Sequence, residues 1–137
     1  MIQDAQGELS NQQAITATAK STNTIDLGPN SYAKNAHGVA NPELVFTVTE
    51  TFTAAGAGTL EIQLRDSNSS DMSSPRVLDR SPVFALADLV AGQPLPWTPT
   101  IQRNSRRYID ANYVVSTGPM TAGKITARTT AGRQTNV

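Results

Sequence analysis

Apolar and polar residues alternate along the last long stretch of the chain, Arg106 to Thr129, and the rest can be read around it. Arg107, Ile109, Ala111, Tyr113 and Val115 share one phase; Tyr108, Asp110, Asn112 and Val114 share the other. That is the period-2 pattern of a half-buried strand rich in β-branched and aromatic residues. Gly118 and Pro119 interrupt it, because proline has no N–H to give a ladder. A second run follows Gly123, with Ile125 and Ala127 alternating against Lys124, Thr126 and Arg128. The two runs predict a two-stranded ribbon. Such a ribbon is barely stable alone in water, so the upstream chain is what it packs against.

The clearest upstream strand is Glu43–Thr53, where Leu44, Phe46, Val48 and Phe52 face one way and Thr47, Thr49 and Thr51 the other. Glu50 breaks the apolar face and marks a strand end or a bulge. Thr59–Asp66 repeats the pattern with Leu60, Ile62 and Leu64 inside, and the glycine-rich 54–58 connection predicts that the two pair as an antiparallel hairpin. Gln12–Thr18 alternates weakly and reads as an edge strand; Asn23–Leu27 is a shorter one. Met1–Asn11 is polar and unpatterned, and reads as an extended arm. Tyr32–Asn41 has loop chemistry. Arg76–Phe84 is a broken strand whose Pro82 fits only an edge or bulge. Phe84–Val90 suits one helical turn, closed by Gly92, and Pro94, Pro96 and Pro99 keep Gln93–Thr100 extended around the single tryptophan, Trp97. Short strands, regular turn signals and no long helix predict one all-β domain over residues 1–137, with seven to eight strands in a β-sandwich or jelly roll. Its expected core is Leu44, Phe46, Val48, Leu60, Ile62, Leu64, Ile109, Tyr113, Val115 and Ile125.

Composition narrows the function classes. The 137 residues include no cysteine, which removes disulfides and thiolate metal sites. Eleven basic residues balance 11 acidic ones without a basic tail, so neither nucleic acid nor a membrane surface is an expected partner. No Lys or Arg precedes Lys20 and no apolar core follows the start, so no secretory signal is expected. The longest apolar run, Val83–Ala87, is far too short to cross a bilayer.

Catalytic chemistry finds little to stand on. His37 is the single histidine and sits in a Gly/Asn-rich loop without a nucleophile motif. Asp66, Asn68 and Asp71 form an oxygen-rich run that lacks the turn glycine and distal glutamate of a calcium loop. Glu50 and Glu61 would oppose each other across the expected hairpin, but among threonines and glutamines that suit a solvent face. No enzyme activity, metal or cofactor is expected. Arg103, Arg106 and Arg107 are the one local basic cluster. They are either a solvated corner or an anchor for a partner's carboxylates. Trp97 is either a core lid or an interface anchor.

Three stretches carry a resemblance: Ser10–Gly28, Ser81–Leu95 (S-P-V-F-A-L-A-D-L-V-A-G-Q-P-L) and Arg106–Ala127, in which R-R-Y-I-D-A-N-Y-V-V-S precedes T-A-G. In that order they resemble the capsid cement proteins of short-tailed bacteriophages. The resemblance implies an antiparallel β-sandwich of jelly-roll type, commonly a homodimer. Such a subunit sits outside an icosahedral shell assembled in the host cytoplasm and clamps adjacent major capsid proteins. It brings no catalytic residues. On this reading the arm, with Gln3 and Asp4, and the corner Arg103, Arg106 and Arg107 are expected to touch the shell or the second copy, with Trp97 as a further candidate. The rival is a carbohydrate- or receptor-binding β-sandwich of a phage particle. That needs an aromatic platform, for which only the scattered Tyr32, Trp97 and Tyr108 are candidates.

Overall fold

A computed structural model describes residues 8–26, 43–101 and 105–130. In chain order the strands are β1 (Glu8–Ala14), β2 (Ala19–Lys20), β3 (Ile25–Asp26), β4 (Glu43–Ala54), β5 (Thr59–Ser67), β6 (Arg76–Arg80), β7 (Phe84–Ala85), β8 (Tyr108–Ser116) and β9 (Met120–Thr130). A single 3-10 turn, Leu86–Asp88, follows β7. One sheet runs β1-β9-β4. The other runs β2-β8-β5-β6, with β3 also on β8 and β7 also on β5, and every pairing is antiparallel. Residues 93–100 close the far edge of β4. Val48 N donates to Gln93 O (3.1 Å), Leu95 N to Phe46 O (2.8 Å) and Leu44 N to Pro99 O (2.8 Å). With that segment as a fourth strand, the chain steps from sheet to sheet in jelly-roll order: β1 in one, β2 and β3 in the other, β4 back, β5 and β6 across, the 93–100 edge back, β8 across and β9 back.

Two expected pairings are replaced. β8 and β9 form no ribbon: β9 lies between β1 and β4, while β8 lies against β5. Likewise β4 and β5 form no hairpin, since they belong to opposite sheets. The reason is burial. A hairpin would put Leu44, Phe46 and Val48 beside Leu60, Ile62 and Leu64 on one uncovered face. Splitting the strands lets the two apolar faces cover each other, and all six side chains are buried.

The first strand is also displaced. β1 starts at Glu8, not Gln12, and Leu9 and Ser10 are buried, so residues 8–11 belong to the sheet rather than to an arm. Register shifts between Ser10 and Gln13, with Gln12 at φ 49°, spoil the strict alternation that would have revealed it. The expected bulge at Glu50 is present as a register shift between Val48 and Glu50. Every expected core residue is buried except Val115, which is half-buried and packs against the core.

A hydroxyl chain ties the sheets together. Ser10 Oγ on β1 donates to Gln13 Oε1 (2.7 Å), so Tyr113 on β8 donates its phenolic proton to Ser10 Oγ (2.8 Å). Gln13 then reaches the second sheet's edge: its Nε2 donates to Lys20 O (2.9 Å), and its Oε1 accepts from Thr22 N (2.9 Å). Gly123 on β9 lies where only glycine fits. Its φ is +142°, and a Cβ there would stand 2.4 Å from the Phe52 ring.

Candidate functional site

The basic corner is turned onto the protein's own carboxylates. Arg107 forks onto Asp26, with Nε to Oδ1 at 2.8 Å and Nη2 to Oδ2 at 3.0 Å, and its guanidinium stands 5.0 Å from the Tyr108 ring centre. Arg106 N donates to Asp66 Oδ2 (2.9 Å) and its Nη1 to Ser74 O (3.3 Å). Asp66 continues the inward phase of Leu60, Ile62 and Leu64 and is fully buried opposite Ile109. A buried carboxylate needs a charged partner, and Arg76 supplies it through two bonds of 3.2 and 2.7 Å. Arg65 does the same for buried Asp110, at 2.9 and 2.6 Å. Gln3, Asp4, Arg103, Tyr32 and His37 lie outside the described residues.

These ion pairs also revise the catalytic candidates. The Asp66 carboxylate is taken up by arginine, and Asp71 Oδ1 accepts from Ser73 N at 3.1 Å, so the oxygen-rich run folds onto itself. Among the described residues no three acidic, histidine or cysteine side chains gather as metal ligands would. Glu50 and Glu61 do not oppose each other, because their strands lie in different sheets. Glu50 Oε1 accepts from Gly123 N (3.2 Å), while Glu61 pairs with Arg80 (3.4 Å).

Trp97 is a lid. It is half-buried and stacks on Phe46 with ring centres 5.4 Å apart, and Phe46 meets Tyr113 edge-on at 6.4 Å. Beside it the prolines build something the alternation did not show. Ser81 Oγ accepts from Ile62 N and donates to Pro82 O, both at 2.8 Å, so a side chain carries the ladder where Pro82 leaves it. The chain then turns through 86–88. Leu89 is buried and its O accepts from Phe52 N (3.0 Å); Leu95 is buried opposite Phe46. Between these two anchors opens a groove of about 530 Å³. It is lined by Pro82, Val83, Phe84, Ala87, Asp88, Val90, Gln93, Pro94 and Pro96. Val83 is 60% and Val90 44% exposed, the two most exposed large apolar side chains among the described residues. The one hint in the sequence is Pro82 setting Val83 off a strand, since an edge proline leaves its neighbour without a sheet to cover it.

A second, smaller concavity of about 290 Å³ lies on the outer face of the β1-β9-β4 sheet. Its lining of Asn11, Gln12, Val45, Thr47, Thr49, Thr126 and Arg128 contains no aromatic ring.

Fold and surface together define a jelly-roll domain with a largely apolar groove beside one sheet edge. The chain belongs to the Bbp16 family, whose profile matches residues 9–129, from β1 to β9. A search of curated proteins finds no match.

Proposed function

We propose that this chain is a structural virion protein. It binds the outside of an icosahedral phage capsid, cements adjacent major capsid proteins and acts as a homodimer. One observation carries the reading. Ser81–Leu95, one of the stretches that resemble capsid cement proteins, is the segment that builds nearly the whole groove, from Pro82 to Pro94. Exposed apolar patches on a rigid domain mark protein contact sites. A shell repeats one modest contact over many copies, so a shallow groove suffices. Arg106 and Arg107 are bonded to Asp66, Ser74 and Asp26, which makes the groove the better attachment surface. The carbohydrate-binding alternative is weaker, because Trp97 stacks inward on Phe46 and Tyr108 lies under Arg107.

The test titrates the protein onto capsids that lack it and follows co-sedimentation and the temperature at which shells open. Binding with a raised opening temperature is expected. Sedimentation of the free protein at tens of micromolar reads the dimer. A parent protein that leaves capsids untouched while binding a glycan array would overturn the reading.

A further inference from the structure

The groove's chemistry specifies what enters it, given the preceding reading that it faces the shell. Among the described residues that line it, only Asp88 is ionisable. Asp88 Oδ2 accepts from Ala85 N at 3.3 Å, and among the described residues no basic side chain lines the groove with it. Three of the lining residues are prolines and bring no N–H. Pro94 stands opposite Thr47, flanked by the bonds Val48 N to Gln93 O and Leu95 N to Phe46 O. That is the wide, non-bonded position of an antiparallel pair, so the Pro94 carbonyl points away from β4. The described lining is therefore largely apolar, with one carboxylate and an outward-facing carbonyl.

Asp88 is exposed and its one bond is the long one from Ala85 N, so a neutral apolar segment laid over it would strip water from a charge without supplying a countercharge, which is unfavourable. An acidic one would be repelled. A lysine would offer a compact, strongly hydrated charge to a site walled by valine and proline. Arginine fits best: its planar, weakly hydrated guanidinium stacks on flat apolar surface and offers several donors at once.

We propose that the groove receives an arginine of the major capsid protein, flanked by small apolar residues, with the guanidinium on Asp88 and the flanking residues on Val83 and Val90.

Three variants test this on capsids lacking the protein: Asp88→Asn, Val83→Ser with Val90→Ser, and Arg107→Ala as a surface control. The amide introduced by Asp88→Asn keeps an oxygen for the Ala85 N–H, so the 86–88 turn is retained; circular dichroism and melting check each variant. We expect Asp88→Asn to weaken capsid binding about tenfold or more, the scale of a lost charge-assisted bond. It should also flatten the fall of affinity with salt. The valine variant should weaken binding while leaving the salt dependence as in the parent. If Asp88→Asn binds like the parent while the valine variant fails, the occupant is not cationic and the proposal falls. If neither variant weakens binding, the attachment lies elsewhere and it falls. If Asp88→Asn instead shifts the monomer–dimer balance of the free protein, the occupant is a second copy, which also overturns it. A parent that does not bind capsids at all removes the functional reading itself, a different outcome from any of these.

Discussion

Tyr113 is the largest fully buried side chain among the described residues, and its hydroxyl reaches from one sheet to Ser10 in the other. Burial pushes its phenol well above the ordinary value of 10.0, and the hydrogen bond to Ser10 only partly offsets this. The folded state therefore holds this proton more tightly than the unfolded chain does. The stability it contributes is whole below pH about 10 and drains away as pH rises past that point. Tyr113→Phe should cost about 0.5–1.5 kcal/mol at neutral pH, because Ser10 and Gln13 keep each other and only one bond is lost. Urea unfolding at pH 8 and pH 11 should show the parent losing more stability than the variant between the two. Gly123 is the other decisive single residue. Gly123→Ala meets both a positive φ and the Phe52 ring at 2.4 Å, and we expect a loss of about 2–4 kcal/mol in denaturant titration. Adding Phe52→Leu should recover only the steric part.

At the scale of elements, alternation reveals which side of a strand is buried but not which strand lies beside it. Leu44, Phe46 and Val48 announce a strand whether their neighbour is β5 or β9, and the glycine-rich connection after Ala54 serves a crossover as readily as a hairpin. This is why the strands themselves are legible in the sequence and the pairings of β4, β5, β8 and β9 are not. The start of β1 is hidden for a different reason: its register shifts near Gln12 break the period, leaving Leu9 as a lone apolar residue among polar ones. Leu9→Ala should cost about 2–5 kcal/mol, as a fully buried leucine does. Deleting residues 2–14 strips one edge of β9 and the Ser10 bond to Tyr113, and should unfold the domain or lower its melting point by well over ten degrees.

For the whole molecule, β1 pairs with β9 and β2 with β8, so most of the sheet is closed by partners far apart in the chain. Loop closure must precede the reward of such contacts, which slows folding. We expect refolding on a time of about milliseconds to seconds, followed by the fluorescence of Trp97, whose stacking on Phe46 reports closure of the core. The candidate site is the least legible part at this scale. Arg106 and Arg107 stand out as a cluster in sequence, yet Asp66 and Asp26, distant in the chain, meet them in the fold. The groove arises because Pro82, Val90 and Pro94 are gathered around Leu89 and Leu95, a convergence that only the packed sandwich creates.

The register of β1 on β9 has a mechanical consequence. Glu8 stands opposite Arg128, so the chain enters β1 and leaves β9 at the same end of the sandwich, on neighbouring antiparallel strands. Pulling those two points apart would open the ladder like a zipper, one bond at a time, at low force. Tension between the groove and the far sheet would instead have to tear the packed core as a unit. The domain would thus resist strain applied through its groove, and yield first if held by Glu8 and Arg128.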